Sequence, residues 1–185
     1  NLVGGDGNDT LMGGAGADTI NGGSGTNTAS YATSSAGVTV NLSAGTASGG
    51  DAAGDVLSNV QNLIGSAFAD SLTGAGNDTL IGGAGADTLN GGSGINTADY
   101  SSSSAAVSVN LSTGSNGGGD AQGDVLSNIQ NVTGASCADS LTGAGNANLL
   151  TGGAGNDSLL GGAGNDTLAG GSGADTLDGG TGTNT

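Results

Sequence analysis

The chain has 185 residues, 43 of them Gly, with no Pro, Trp, His, Lys or Arg; all 16 acidic residues are Asp, so the formal charge of -16 has no internal counter-charge. Without basic side chains it cannot bind nucleic acid or phosphate through basic contacts, nor grip an anionic membrane by a polybasic patch. Such a composition leans towards a disordered acidic chain, but the hydrophobic fraction of 34% is too high for that, and its Leu, Ile and Val recur at a fixed spacing.

From Gly4 the sequence reads GGDGNDTLM, GGAGADTIN and GGSGTNTAS, filling residues 4–30 with nine-residue units. Residues 31–64 interrupt this phase. Within them Val38, Val40 and Leu42 alternate as in a half-buried strand. GDAAGDVLS (50–58) reads as a degenerate unit with Asp55 sixth and Leu57 eighth, and SNVQNLI as a further half-coil. The phase returns over 65–99 with GSAFADSLT, the eight-residue GAGNDTLI, GGAGADTLN and GGSGINTAD. A second interruption, 100–133, matches the first, so that 13–76 is duplicated as 82–145; Val107, Val109, Leu111, Asp124 and Leu126 repeat the earlier pattern. Units then run from Gly134 to Thr185.

The consensus G-G-x-G-x-D-x-U-x, with U a large apolar residue, recurs in tandem and resembles the RTX (repeats-in-toxin, hemolysin-type) calcium-binding nonapeptide family. The resemblance implies an all-β parallel β-roll or β-helix solenoid. In it six residues form a turn, three form a short strand, two units complete a coil, and calcium lies between stacked turns. The whole of 1–185 is then expected to be one continuous solenoid with two strand-containing insertions, a fragment of a longer array opening on the tail of an earlier repeat. Leu11, Ile20, Leu72, Leu80, Leu89, Leu141, Leu150, Leu159, Leu168 and Leu177, eighth in their units (for Leu80, the matching place in the eight-residue unit), should point inward.

Chemistry agrees with the resemblance. Asp and main-chain carbonyls without His suit a hard, oxygen-seeking cation, and calcium is the natural one. A calcium needs carboxylates on turns two units apart. Asp70 with Asp87, Asp139 with Asp157, and Asp157 with Asp175 meet this fully, which favours residues 134–178. Mixed pairs are Asp9 with Asn27, Asp78 with Asn96, Asn148 with Asp166, and Asp166 with Asn184. Asp18 lacks a regular partner because its coil enters 31–64. Asp55 and Asp124, with Asp51 and Asp120, are additional ligand candidates, whereas Asp6 and Asp178 lie off the sixth position and are read as solvated charges.

Nothing reads as a catalytic centre. Paired Asp recur many times, and no His, Lys or Arg accompanies Cys137 or the abundant Ser and Thr. Cys137 and Phe68 occupy the same fourth place and are expected to be buried; Tyr31 and Tyr100, at matching junctions, read as packing plugs. No apolar run is long enough for a membrane span. The functional expectation is a non-enzymatic, calcium-dependent structural or adhesive protein of the cell exterior: a surface-layer subunit, adhesin or filament that folds on binding several calcium ions after secretion. Its partners would be further copies of itself or a cell-surface polysaccharide. The alternative is the calcium-binding tail of a type I-secreted enzyme or toxin.

Overall fold

A computed structural model describes residues 1–185. The first block of repeats holds β1 (Leu2–Asp6), β2 (Thr10–Leu11), β3 (Thr19–Ser24) and β4 (Thr28–Ser30). The first interruption holds β5 (Thr39–Asn41), β6 (Thr46–Ser48), a 3-10 turn at Gly50–Ala52, β7 (Val56–Ser58) and β8 (Asn62–Ile64). Next come β9 (Ser71–Thr73), β10 (Thr79–Ile81), β11 (Thr88–Asn90) and β12 (Thr97–Asp99). The second interruption carries β13 (Ser108–Asn110), a 3-10 turn at Gly119–Ala121, β14 (Val125–Ser127) and β15 (Asn131–Thr133). The last block is β16 (Ser140–Thr142), β17 (Leu149–Ala154), β18 (Ser158–Leu160), β19 (Thr167–Ser172) and β20 (Thr176–Asp178).

Strands form where the unit supplies a short triplet with its apolar residue central, often opened by β-branched Thr; most end before the next glycine, while β1, β3, β17 and β19 continue through the glycine pair. They stack in parallel to make a two-faced β-roll. One face is an unbroken eight-stranded parallel sheet in the spatial order β2, β4, β8, β10, β12, β15, β17, β19. The opposite face begins β1, β3, β7 and resumes β5, β9, β11, β14, with β6 running antiparallel between β7 and β5. The strands β13, β16, β18 and β20 form a separate parallel sheet, begun by the duplicate of β5. There the antiparallel return is reduced to a bridge between Ser108 and Gly117.

The interruptions therefore stack out of chain order. β5 precedes β7 in sequence yet lies beyond it in the sheet, because the chain leaves β4, skips one level, and returns through β6 to lay β7 upon β3. A one-residue slip would turn each apolar residue to solvent, so the register is fixed by Leu57 over Ile20 and Leu63 over Ala29.

Inward side chains meet in a single thin core. Leu11, Ala29, Leu63, Leu80, Ala98, Val132 and Leu150 descend one face and are buried. Ile20, Leu57, Val40, Leu72, Leu89, Val109, Leu141 and Leu159 face them. Leu168 is only partly buried, and Leu177, on β20, is 46% exposed. Burying one Leu stabilises by about 1.5–3 kcal/mol. Ordering a residue's backbone costs about 1–2 kcal/mol. A nonapeptide with one core Leu thus needs more than its core. Sheet hydrogen bonds supply part, and the turns must supply the rest. No helix is long and apolar enough to cross a membrane.

The fourth-place side chains depart from expectation. Phe68 is 48% exposed and Cys137 is only partly covered, its Sγ 3.8 Å from the Ser104 carbonyl oxygen. The turn leaves this position no inward space: in Gly173, the glycine counterpart, φ is +141° and an added Cβ would strike the Gly155 carbonyl of the coil beneath. A larger residue can only project outward.

Candidate metal-binding edges

Between strands, the sixth residue of each unit turns its side chain along the roll's edge, and two ladders result. On the edge that leads into the β3–β7–β9 face the ladder is acidic. The Asp18 N–H donates to Asp55 Oδ1 at 2.8 Å, Asp70 to Asp87 at 2.8 Å, and Asp87 to Asp124 at 2.8 Å. Asp139 donates to Asp157 at 2.8 Å and Asp157 to Asp175 at 3.0 Å. Where the interruptions put no sixth-place Asp on the neighbouring level, Val38 and Val107 N–H groups donate to Asp70 and Asp139 at 2.6 and 2.8 Å.

The second edge is mostly amide. Asp9 N–H donates to Asn27 Oδ1 at 3.0 Å, Asn27 to Gln61 Oε1 at 2.8 Å, Asp78 to Asn96 at 3.0 Å and Asn96 to Gln130 at 2.9 Å. Asn148 donates to Asp166 at 2.9 Å and Asp166 to Asn184 at 2.8 Å. Every sixth-place candidate is thus in one ladder or the other. Asp18 does have a partner, contrary to expectation. Its partner is Asp55, 37 residues on, because the first interruption returns to stack directly on β3. Gln61 and Gln130 escaped the sequence reading, although counting back two residues from Leu63 and Val132 finds them at the sixth place. Asp51 and Asp120 sit in the 3-10 turns, their N–H groups bound to Ser34 and Ser103 Oγ at 3.0 and 3.1 Å, outside both ladders. Asp6 and Asp178 are exposed.

The ladder engages Oδ1 of Asp55, Asp87, Asp124, Asp157, Asp166 and Asp175. Oδ2 of Asp70, Asp78 and Asp139 accepts N–H groups of its own turn; where the second oxygen has no such donor, its surroundings decide whether a cation fits. Oδ2 of Asp9, Asp87, Asp157 and Asp166 is buried and has no hydrogen-bond donor. A buried carboxylate oxygen with no donor is costly and needs a positive partner. At Asp157 the unit's first glycine leaves the necessary gap. A Cβ on Gly152 would collide with both Asp157 Oδ2 and the Gly170 carbonyl oxygen of the next coil. The same pairing recurs at Gly161 with Asp166 and Gly179, and at Gly4 with Asp9 and Gly22. Carboxylate and carbonyl oxygens gathered without a donor are a hard-cation environment. No point gathers three or more acidic side chains. An ion at these places would be shared by side chains of adjacent coils and main-chain carbonyls, and the residues present fit calcium.

Electrostatics point the same way. Burial first, then the charges of Asp124, Asp70 and Asp120, push the Asp87 carboxyl up to about 7, although the Asp70 N–H works in the opposite sense. Burial likewise raises Asp124, opposed by the Asp87 N–H and the Tyr100 hydroxyl, and raises Asp139, opposed by the Val107 and Ala135 N–H groups. A carboxyl raised above its ordinary 3.8 binds more protons folded than unfolded. Its contribution without metal is full below that value and is lost as pH rises to about 7. In chelator the chain should therefore show more β structure by circular dichroism at pH 5 than at pH 7.5. With calcium the order should reverse, since the ion competes with the proton.

No curated protein was found to match the chain. The model of the RTX calcium-binding nonapeptide repeat matches four times, at residues 1–29, 64–98, 133–168 and 151–185, leaving out chiefly the two interruptions. With more than half of its length matched in phase with the ladders described above, the chain belongs to the RTX calcium-binding nonapeptide repeat family.

Proposed function

We propose that this chain is a calcium-hardened structural or adhesive segment of an extracellular protein, such as a surface layer, adhesin or filament. It would be exported unfolded and would fold where calcium is plentiful. The observation that carries this reading is the acidic ladder, in which buried carboxylate oxygens such as those of Asp87 and Asp157 lack any protein donor. Like charges stacked at coil spacing repel, so the roll is unfavourable in calcium-poor cytoplasm and favourable once cations sit between the turns. Repetition supports a structural role, since the same geometry recurs along the roll instead of converging on one cleft.

Circular dichroism with excess calcium and with EGTA tests the folding step. A β spectrum in calcium that collapses in EGTA is expected. An identical spectrum in both would sink the mechanism. Electron microscopy of the calcium-loaded chain tests the assembly step, with extended or sheet-like polymers expected and dispersed single particles counting against it.

A further inference from the structure

The interrupted coils satisfy their edges differently from the nonapeptide coils away from them. Asp70 and Asp139, next to the interruptions, share the interrupted pattern, accepting the Val38 or Val107 N–H at Oδ1 and the Ser66 or Ala135 N–H at Oδ2. At Asp55 and Asp124 both carboxylate oxygens already have donors. Oδ1 accepts from the Asp18 or Asp87 N–H, and Oδ2 accepts from Tyr31 Oη at 3.0 Å or Tyr100 Oη at 2.8 Å. All four side chains are at most 3% exposed. The contrast with Asp87 and Asp157, whose second oxygen has no donor, lies within the same ladder.

The opposite edge of the same coils repeats the substitution in other chemistry. Beside Gly152 an aspartate oxygen faces a carbonyl oxygen. Beside Gly22 the corresponding neighbours are the Asn59 carbonyl and the Asn27 amide nitrogen. Asn27 Nδ2 donates to Asn59 O at 3.1 Å, and Asn96 Nδ2 donates to Asn128 O at 3.0 Å. The amide hydrogens stand where a cation would be required between two oxygens. Asn59 and Asn128 present these carbonyls from the left-handed region, with φ of 53° and 54°. Outside Gly, Asn is among the residues that accept this conformation most readily. Interrupted coils also hold more core per residue: Val38, Val40, Leu57 and Leu63 join Tyr31.

We propose that the two interrupted coils are metal-free staples. Hydroxyl–carboxylate bonds at Tyr31–Asp55 and Tyr100–Asp124, with amide–carbonyl bonds at Asn27–Asn59 and Asn96–Asn128, keep them ordered when calcium is withdrawn from the nonapeptides around them. The inference rests on the calcium reading of those nonapeptides. On calcium return, the staples present preformed strands on which neighbouring coils nucleate, and they hold the register that identical repeats cannot specify alone.

The chain carries its own probe, because Tyr31 and Tyr100 are its two tyrosines and there is no Trp. The full chain is compared in calcium and in EGTA by near-ultraviolet circular dichroism and by hydrogen exchange read by mass spectrometry. In EGTA, the tyrosine signal and the protection of 56–64 and 125–133 should persist while protection of 140–160 and 167–178 is lost. A Tyr31→Phe/Tyr100→Phe double variant keeps both rings in the core. It should exchange at least about tenfold faster in 56–64 and 125–133 in EGTA, with little change in calcium. Uniform loss of protection in EGTA would overturn the staples and leave the calcium reading intact. Uniform retention would overturn both. Retention that the double variant does not disturb would show that the hydroxyls are not the staple.

Discussion

Replacing Asp157 by Ala is expected to weaken calcium binding at two adjacent levels at once and to unfold residues 134–178 at a calcium concentration that keeps the parent chain folded. Asp157 is the middle rung of the best-formed run: its Oδ1 accepts the Asp139 N–H at 2.8 Å, and its own N–H donates to Asp175 at 3.0 Å. Alanine leaves the Asp139 N–H without its acceptor at a residue only 2% exposed, costing about 1–3 kcal/mol before any metal is considered. It also removes the donor-less Oδ2 beside the Gly170 carbonyl. Asp157→Asn separates the two effects. The amide retains an oxygen for the ladder, as Asn96 does for Asp78. It removes the charge and can place an NH2 against the carbonyl, so this variant should lose calcium affinity with a smaller structural penalty. Calorimetric calcium titration beside a circular-dichroism titration would distinguish them. Unchanged stoichiometry and midpoint in Asp157→Ala would remove this rung from the metal sites.

The core should be just as sensitive where it is closed and tolerant where it is open. Leu141→Ala is expected to lower stability by about 2–5 kcal/mol in saturating calcium. Leu141 is 0% exposed and lies in register between Val109 and Leu159, with little material available to collapse into the cavity. At about 2–4 °C per kcal/mol for a chain of this size, Tm should fall by roughly 4–20 °C. Leu177→Ala, the same substitution on a side chain already 46% exposed, should cost well under half as much. Equal losses at the two positions would mean that the eighth-place residue matters through strand propensity and not through burial.

Much of this architecture was legible because the repeat states it several times. Leu72, Leu80 and Leu89 declare the inward position, Gly152 and Gly161 the crowded one, and Asp139, Asp157 and Asp175 the edge. Other features depended on stacking, which spacing alone does not reveal. Asp18 seemed unpaired because the 37 residues to Asp55 obey no multiple of the unit; only the level-skipping path through β5 and β6 brings them together. The separation of acidic and amide ladders was equally hidden. Asp and Asn alternate irregularly along the chain and sort into edges once alternate turns are assigned to opposite sides. Phe68 and Cys137 misled because a large or apolar residue in a Gly place suggests burial, whereas the turn there opens outward. Tyr31 and Tyr100 were legible as ring packing, but their hydroxyl partners lie 24 residues away.

The out-of-order stacking of β5 beyond β7 has a mechanical consequence. A regular coil of 18 residues rises only about 4.8 Å along the axis, yet released as extended chain it spans about 60 Å. Tension applied at the ends would strip such coils singly, each lengthening the tether by more than tenfold its folded rise. At an interruption the sequence cannot be peeled level by level. With β9 gone, β5 remains joined through β6 to β7, and all three come away together or not at all. Under load the chain would extend in short, even steps punctuated by a larger and more resistant one at the first interruption; the second, where the return is a single bridge at Ser108 and Gly117, would resist less.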